Sequence, residues 1–296
     1  MNNPTVCIVD KDLPLNKDFY ESLMARTSAE GIRVSYDNGL GEASEKAAAV
    51  LLATPVEVND IDDSRIVLGL RTINRRERME IAAQVVPEKL IARWASPGDG
   101  QELTEVLRGW GRSEYVFKYD WSAGRKGVKL LRDGPDQLPE DYSPHRDIVM
   151  EYLDDDPYTY KADLCCGVLL NAWFLRTVSI AADNFNAYTV NPAQYVLPED
   201  VRQQLEKLSA ELMRYGSGYI SIDMMKYKGE FRIIEINTNS VGRNISWEHF
   251  GDTYLDTYPQ GLKRLLAGLS VLPTLGDLRY WETRPGKILP PVNTAG

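Results

Sequence analysis

Two acidic side chains and one amide set the chemical question for this chain. Glu235 and Asn237 stand two apart in Phe231–Asn237 (FRIIEIN), a run that is otherwise largely apolar. Alternation along a strand sends both to one face, among Ile233, Ile234 and Ile236. A carboxylate on such a face needs a partner, because burying it unpaired is costly. Mg2+ with oxygen ligands is a natural partner, and it brings nucleotide phosphates with it. Asp223, in Ser221–Met225 (SIDMM), completes an oxygen-only ligand set. The geometry carries a condition. With Lys228-Gly229 as a plain two-residue turn, Asp223 sits across from Ile234 and faces away from Glu235. An odd-length loop or a bulge reverses that, so metal binding predicts an irregular turn near Tyr227–Glu230. The alternative is a polar strand edge without a ligand.

Two further stretches carry groups suited to a polyphosphate. In Tyr115–Leu131 a strand bearing Lys118 runs into Ser122-Ala123-Gly124-Arg125-Lys126-Gly127 and out along a second strand. Small residues such as Ser122, Gly124 and Gly127 let backbone N–H groups approach an anion closely, and Lys118 adds an ammonium. A polar hairpin with two glycines is the competing reading, and the Walker pattern is absent. In Ile148–Asp156 (IVMEYLDDD), the strand end Glu151-Tyr152-Leu153 is suited to line an adenine slot, which needs apolar walls and a few backbone groups. Lys161 then falls near the phosphate end, with Arg176 of AWFLRTV as a companion. Both are equally ordinary strand residues when taken alone, and Asp154–Asp156 reads as an acidic surface turn. Arg243 has the geometry to bind a carboxylate bidentately or to be a surface arginine.

The elements that must position these groups follow from periodicity. Strands are expected at Thr5–Asp10, Ile32–Tyr36, Ala47–Ala53, Arg65–Leu70 and Ile91–Trp94, alternating with helices at Lys11–Glu30 and Thr72–Val86, the latter basic and entered through Asn74. That alternation predicts an α/β front portion with a mainly parallel sheet. The segment SPGDG marks a boundary. Beyond it come a helix at Glu102–Trp110 and short strands at Tyr115–Asp120, Val128–Leu131, Asp147–Leu153, Tyr160–Cys166, Val168–Leu170 and Ala172–Ser179. A helix at Glu199–Tyr215, a hairpin of Tyr219–Met225 with Phe231–Asn237, a helix at Tyr254–Leu269 and a Pro-rich tail from Pro285 complete an α+β back portion.

Composition narrows the function classes. The 296 residues suggest two domain-sized units, and a net charge of −9 argues against nucleic acid or an anionic membrane as the main partner. Three cysteines, Cys7, Cys165 and Cys166, lack metal spacing and read as buried small hydrophobes in a reducing cytoplasm, the last two facing opposite ways on a strand. The first residues lack a signal-peptide pattern and no apolar run reaches membrane-spanning length. With His145 and His249 alone, histidine triads and zinc sites have little to work with.

In this order, the three constellations resemble the ATP-grasp superfamily, nearest the branch of the glutamate ligase RimK and the glutathione synthetases, over roughly residues 71–250. IIEINTNS looks like that family's E-x-N metal strand, the Lys118 strand with SAGRKG like its phosphate-covering loop, and MEYLDDDPYTYK like its hinge strand and following lysine. The resemblance implies a pre-ATP-grasp α/β domain at 1–95, an ATP-covering subdomain at 96–150 and a C-terminal subdomain with antiparallel sheets and the metal site at 151–296. It implies ATP and Mg2+ as cofactors, Lys118 and Lys161 on phosphates, and Glu151, Tyr152 and Leu153 beside adenine and ribose. It further implies Asp223, Glu235 and Asn237 on magnesium, and Arg176 facing the transferred phosphoryl group. The family's first ATP lysine has no lysine counterpart, and Arg75, Arg76 or Arg78 is the expected substitute. After the metal strand, Ser240-Val241-Gly242-Arg243 departs from the proline usual in RimK-like proteins. The implied activity is ligation of a small-molecule or peptide carboxylate to an amine through an acylphosphate. The rivals are a phosphotransferase and a nucleotide-binding protein without turnover. Oligomeric state is open, a homodimer included.

Overall fold

A computed structural model describes residues 5–12, 16–54, 56–59, 61–111, 114–120, 128–131, 138, 140–181, 184–188, 192–238 and 243–283. The front portion is the expected parallel sheet. Strands β1 (Thr5–Val9), β2 (Arg33–Asp37), β3 (Ala49–Leu52) and β4 (Val67–Leu68) lie in the order β2-β1-β3-β4, all parallel, with helices α1 (Lys17–Ala29) and α2 (Glu42–Lys46) in the crossovers. Helix α1 begins only at Lys17, six residues later than the apolar pattern suggested. Both faces of the sheet are covered, as parallel sheets require. Val6, Ile8, Leu51 and Leu68 pack with Phe19, Tyr20 and Leu23 of α1, whereas Cys7, Val9, Val50 and Leu52 pack on the other side with Leu275. Just past β4, Gly69 has φ +95°, and its N–H donates to the Gly216 carbonyl at 2.6 Å.

Helix α3 (Arg75–Val85) starts on a reciprocal cap: Asn74 accepts the Glu77 N–H at 2.9 Å and Glu77 accepts the Asn74 N–H at 2.8 Å. The second sheet is antiparallel. Strands β5 (Trp94–Ala95), β6 (Tyr115–Lys118), β7 (Val128–Leu131) and β8 (Ile148–Glu151) lie in the order β5-β8-β6-β7. Helix α4 (Gly100–Trp110), capped by Asp99 and ended by Gly111 at φ +61°, buries Leu103 and Leu107 against Tyr115 and Phe117. Alternation leaves Val116 and Lys118 on the opposite face.

The third sheet is built from β9 (Tyr158–Cys165), β10 (Val168–Ala181), β11 (Asn184–Tyr188), β12 (Ala193–Gln194), β13 (Tyr219–Tyr227) and β14 (Glu230–Asn237), in the order β11-β10-β9-β13-β14 with β12 on β10. Tyr160, Ala162, Leu164, Ile220, Ile222, Met224, Ile233 and Ile236 form its apolar face, against α3 and Val201, Leu205, Leu208 and Leu212 of α5 (Glu199–Leu212). The two antiparallel sheets are joined by a seam: Ala92 N–H bonds the Ile233 carbonyl at 3.0 Å, and the next residue's carbonyl, Arg93, accepts the Glu151 N–H at 2.9 Å. Helices α6 (Arg243–Phe250), α7 (Asp252–Leu255), α8 (Tyr258–Gly268) and α9 (Leu275–Thr283) close the described chain.

Several expectations need correction. Tyr254–Leu269 is two helices, because Pro259 sits in the first turn of α8, where proline is tolerated. The two strands expected at Val168–Leu170 and Ala172–Ser179 are one strand with a bulge between Leu169 and Asn171. Cys166 lies in the β9–β10 turn at φ +49°, so both thiols enter one core, 3.7 Å apart, rather than facing opposite ways. The tail from Pro285 lies outside the described residues. Among the described residues no helix is long and apolar enough to cross a membrane.

A Cβ at position 69 would lie 2.3 Å from the Leu52 carbonyl oxygen, on a backbone already in the left-handed region. Gly69→Ala is therefore expected to cost at least about 2 kcal/mol of stability. Urea unfolding checks this, and an unchanged midpoint would refute the close approach.

Candidate active site

The hairpin β13–β14 decides where the acidic groups point. Its turn is regular: Lys228 and Gly229 have φ +52° and +81°, as a tight two-residue connection demands, and Tyr227 pairs with Glu230. The irregular turn expected near Tyr227–Glu230 is thus not present. A bulge inside the ladder does its work instead. Met224 pairs with Ile233 but Asp223 pairs with Glu235, so Ile234 is the extra residue. Downstream of it Asn237 faces Ser221. The bulge sets Asp223 and Glu235 side by side on the face opposite the apolar core.

Lys161 of β9 and Trp173 of β10 continue the same row across the sheet. The Lys161 ammonium donates to both Asp223 oxygens, at 2.7 and 2.6 Å, and lies 5.8 Å from the Trp173 ring centre. Glu235 is held by Arg75, the first residue of α3, at 2.9 Å. Arg75 also donates through Nε to the Tyr119 carbonyl at 3.0 Å. From the second sheet, Lys118 reaches across and donates to the Ile234 carbonyl at 2.6 Å. A bulge leaves its extra residue outside the ladder, and here that residue receives the ammonium.

Asp120, two residues before Ser122, gathers the arginines around 71–78. Its Oδ1 accepts the Arg75 backbone N–H at 2.6 Å and Arg78 Nη2 at 3.2 Å, while its carbonyl accepts Arg71 Nη2 at 2.7 Å. Arg78 is buried and its Nε has no hydrogen-bond partner. Of the arginines expected to replace a lysine, Arg76 turns away, to Glu80 and the Pro144 carbonyl.

The charges do not balance. Arg71, Arg75, Arg78, Lys118 and Lys161 face Asp120, Asp223 and Glu235, and with Asp163, on which Lys161 also acts, one positive charge remains in excess, on a protein of net charge −9. Burial pushes Lys118 down to about 8, with Glu235 opposing and Arg75 adding. Burial, with Arg75 nearby, brings Arg78 to about 10. Burial also pushes Asp223 up, against the pull of Lys161. For Glu235, burial is outweighed by Arg75, Lys118 and Lys161, which hold it near 2.

The remaining sequence-derived residues fall out as follows. Glu151 is buried, and its two oxygens accept from Arg93, from the backbone N–H at 2.8 Å and Nε at 2.8 Å. Leu153 is buried in the core and Tyr152 is half-buried. Arg176 pairs with Tyr158, and alternation puts it with Phe174 and Tyr160, not with Trp173 and Lys161. It is exposed and does not join the cluster. Ser122, Gly124, Gly127 and the Arg243 side chain lie outside the described residues. Sequence reading missed Asp120 and Asp163. Asp120 was legible as the acid ending the Lys118 strand, and Asp163 as the residue two beyond Lys161.

Among the described residues no group of three His, Cys, Asp or Glu side chains gathers as a metal site. Two carboxylates and the Asn237 amide still make an oxygen-only set, which suits Mg2+, an ion that keeps several waters and substrate phosphates as ligands.

No protein-family model matches the sequence, and no curated protein matches it. Solved structures do. D-cycloserine synthetase DcsG superposes with TM-score 0.59 at 17% identity, covering 88% of this chain and 99% of that one. ATP-grasp ligase PsnB in complex with a minimal precursor gives 0.54 at 13%, covering 89% and 100%. D-alanine–D-alanine ligase from Bacillus anthracis complexed with ATP gives 0.52 at 14%, covering 91% and 99%. Three sheets in this order, matched over nearly the whole length of those proteins, give this chain the ATP-grasp fold.

Proposed function

We propose that the protein is an ATP-dependent carboxylate–amine ligase. The observation that carries this is the row Glu235–Asp223–Lys161, in which each acid is held by a cation and the surrounding cluster still has positive charge in excess. Such an arrangement suits a polyphosphate and a divalent cation arriving together. The fold shared with ligases supports the reaction class. Asp223, Glu235 and Asn237 would hold Mg2+, and Lys118, Lys161 and Arg75 would take the phosphates, with Arg75 in the position of the missing lysine. When bound, the metal neutralises charge on the polyphosphate. The backbone at Tyr152–Leu153 would border the base, and loop residues Ser122, Gly124 and Gly127 would cover the phosphates.

The chemistry then runs in two steps. A substrate carboxylate oxygen attacks the γ-phosphorus, forming an acylphosphate as the bond to ADP breaks. A neutral amine attacks the acyl carbon, losing a proton as phosphate leaves. The chain's own part is to orient, and to place cations where charge builds. Arg243 is assigned to the substrate carboxylate.

Screening paired acids and amines should yield ADP and phosphate only when both are present; a stable phosphorylated product would indicate a kinase instead. With the pair in hand, Glu235→Gln is expected to cut ADP release by about 100-fold, the scale of one lost electrostatic contact at a reacting centre, while unfolding stays cooperative. Unchanged ADP release would sink the assignment.

Because the metal ligands and phosphate cations hold one another, Mg2+ and ATP are expected to bind cooperatively, each raising the other's affinity by about tenfold or more. Calorimetric titrations of each, with and without the other, measure that factor; independent binding would show that the acids and cations of the row do not part for their ligands together.

Lys118, standing at about 8, should rise when an anion arrives. Nucleotide binding at pH 8 then takes up roughly half a proton, and affinity declines as pH rises further. Calorimetry in buffers of different ionisation enthalpy reads the uptake. Lys118→Ala should abolish it and weaken ATP use; normal uptake in that variant would clear Lys118 of the role.

A further inference from the structure

One buried acid on the polar face stands outside the ion-paired row. Asp163 lies two residues beyond Lys161 on β9 and is 3% exposed. It pairs across the ladders with Ser221 and Asn171, the latter aligned by the β10 bulge. Its neighbours in the next row, Asp223 and Glu235, each have a cation. Asp163 Oδ2 instead accepts two neutral donors, Trp173 Nε1 at 2.9 Å and Ser246 Oγ at 2.5 Å. Oδ1 has no hydrogen-bond partner. Burial pushes the Asp163 carboxyl up, against the pull of the Ser246, Trp173 and Ser221 side chains and, more weakly, of the Lys161 ammonium.

The two donors belong to different parts of the site. Trp173 is 1% exposed, and its ring lies under the Lys161 ammonium. Ser246 is fully buried in α6, the helix that follows the Glu235–Asn237 strand and begins at Arg243. Phe250 of the same helix packs 6.2 Å from Trp173. A single carboxylate oxygen therefore ties the ring beneath the phosphate-side lysine to the helix on the acceptor side.

We propose that Asp163 is a positioning residue that fixes α6 and Trp173 together, so that the acceptor side and the phosphate side of the site are registered on one group. The meaning of the two sides rests on the ligase reading above; the bonds themselves do not. The donors can be removed one at a time. Hydrogen exchange over residues 243–250 reads the helix, and calorimetric titration with Mg-ATP reads the lysine side. Ser246→Ala should speed exchange in α6 about tenfold or more, the scale of one lost bond to a charged acceptor, and leave Mg-ATP affinity within about twofold. Trp173→Phe keeps a ring but loses the N–H, and should weaken Mg-ATP severalfold without loosening α6. Asp163→Ala should do both, and Asp163→Asn, which retains an acceptor oxygen, should restore most of each. A merely structural acid would instead lower global stability in every variant without separating the two readouts. Unaltered α6 exchange in both Ser246→Ala and Asp163→Ala overturns the proposal, as does unaltered affinity in both Trp173→Phe and Asp163→Ala. Should Asp163→Ala not fold, the two single-donor variants decide. If the wild-type protein binds no Mg-ATP, the nucleotide reading falls, and the exchange measurements alone judge whether Asp163 holds the helix.

Discussion

Two carboxylates adjacent on a buried sheet face repel one another and lose hydration at once, and the rest of the site follows from what relieves that. Asp223 and Glu235 are tolerable only because cations come to them from three separate elements. Lys161 comes from the neighbouring strand, Arg75 from the start of α3 and Lys118 from a different sheet. Attraction in a low-dielectric setting is strong, yet the desolvation cost of each ion is of similar size. The pairs are therefore poor as sources of stability and well suited to being exchanged for other partners.

Position in this cluster is set by backbone irregularity. A strict period of two would have split Asp223 from Glu235 and Asp163 from Asn171. One extra residue in β14 and one in β10 bring each pair into line. The same extra residue in β14 supplies a carbonyl to Lys118, so one distortion both aligns the acids and seats a cation.

Much of this was legible beforehand. Continuous apolar runs such as Ala47–Ala53, alternating with helical stretches, suggested a parallel sheet, and the Val201, Leu205, Leu208, Leu212 stripe a helix lying on a core. Glu235 and Asn237 stood out because charge and amide are rare among isoleucines. What escaped has a common cause. Bulges at Ile234 and Leu170 leave no compositional mark, since an extra isoleucine or leucine looks like any other. Arg176 lies on the other face from Lys161 because its register is counted through one of those bulges. The Arg93 partner of Glu151 lies 58 residues away in the chain, and the arginine partners of Asp120 came to it only once α3 was docked beside it.

The seam between the two antiparallel sheets has a consequence for their spacing. The chain passes from its bridge with Ile233 at Ile91 to the first residue of β5, Trp94, in three residue steps. Fully extended, that length spans at most about 10 Å. A covalent strap of fixed reach therefore ties the edge strand of one antiparallel sheet to the edge strand of the other. A second covalent link runs from β8 at Glu151 to β9 at Tyr158, so any change in the spacing of the two sheets must be taken up within these two short connections.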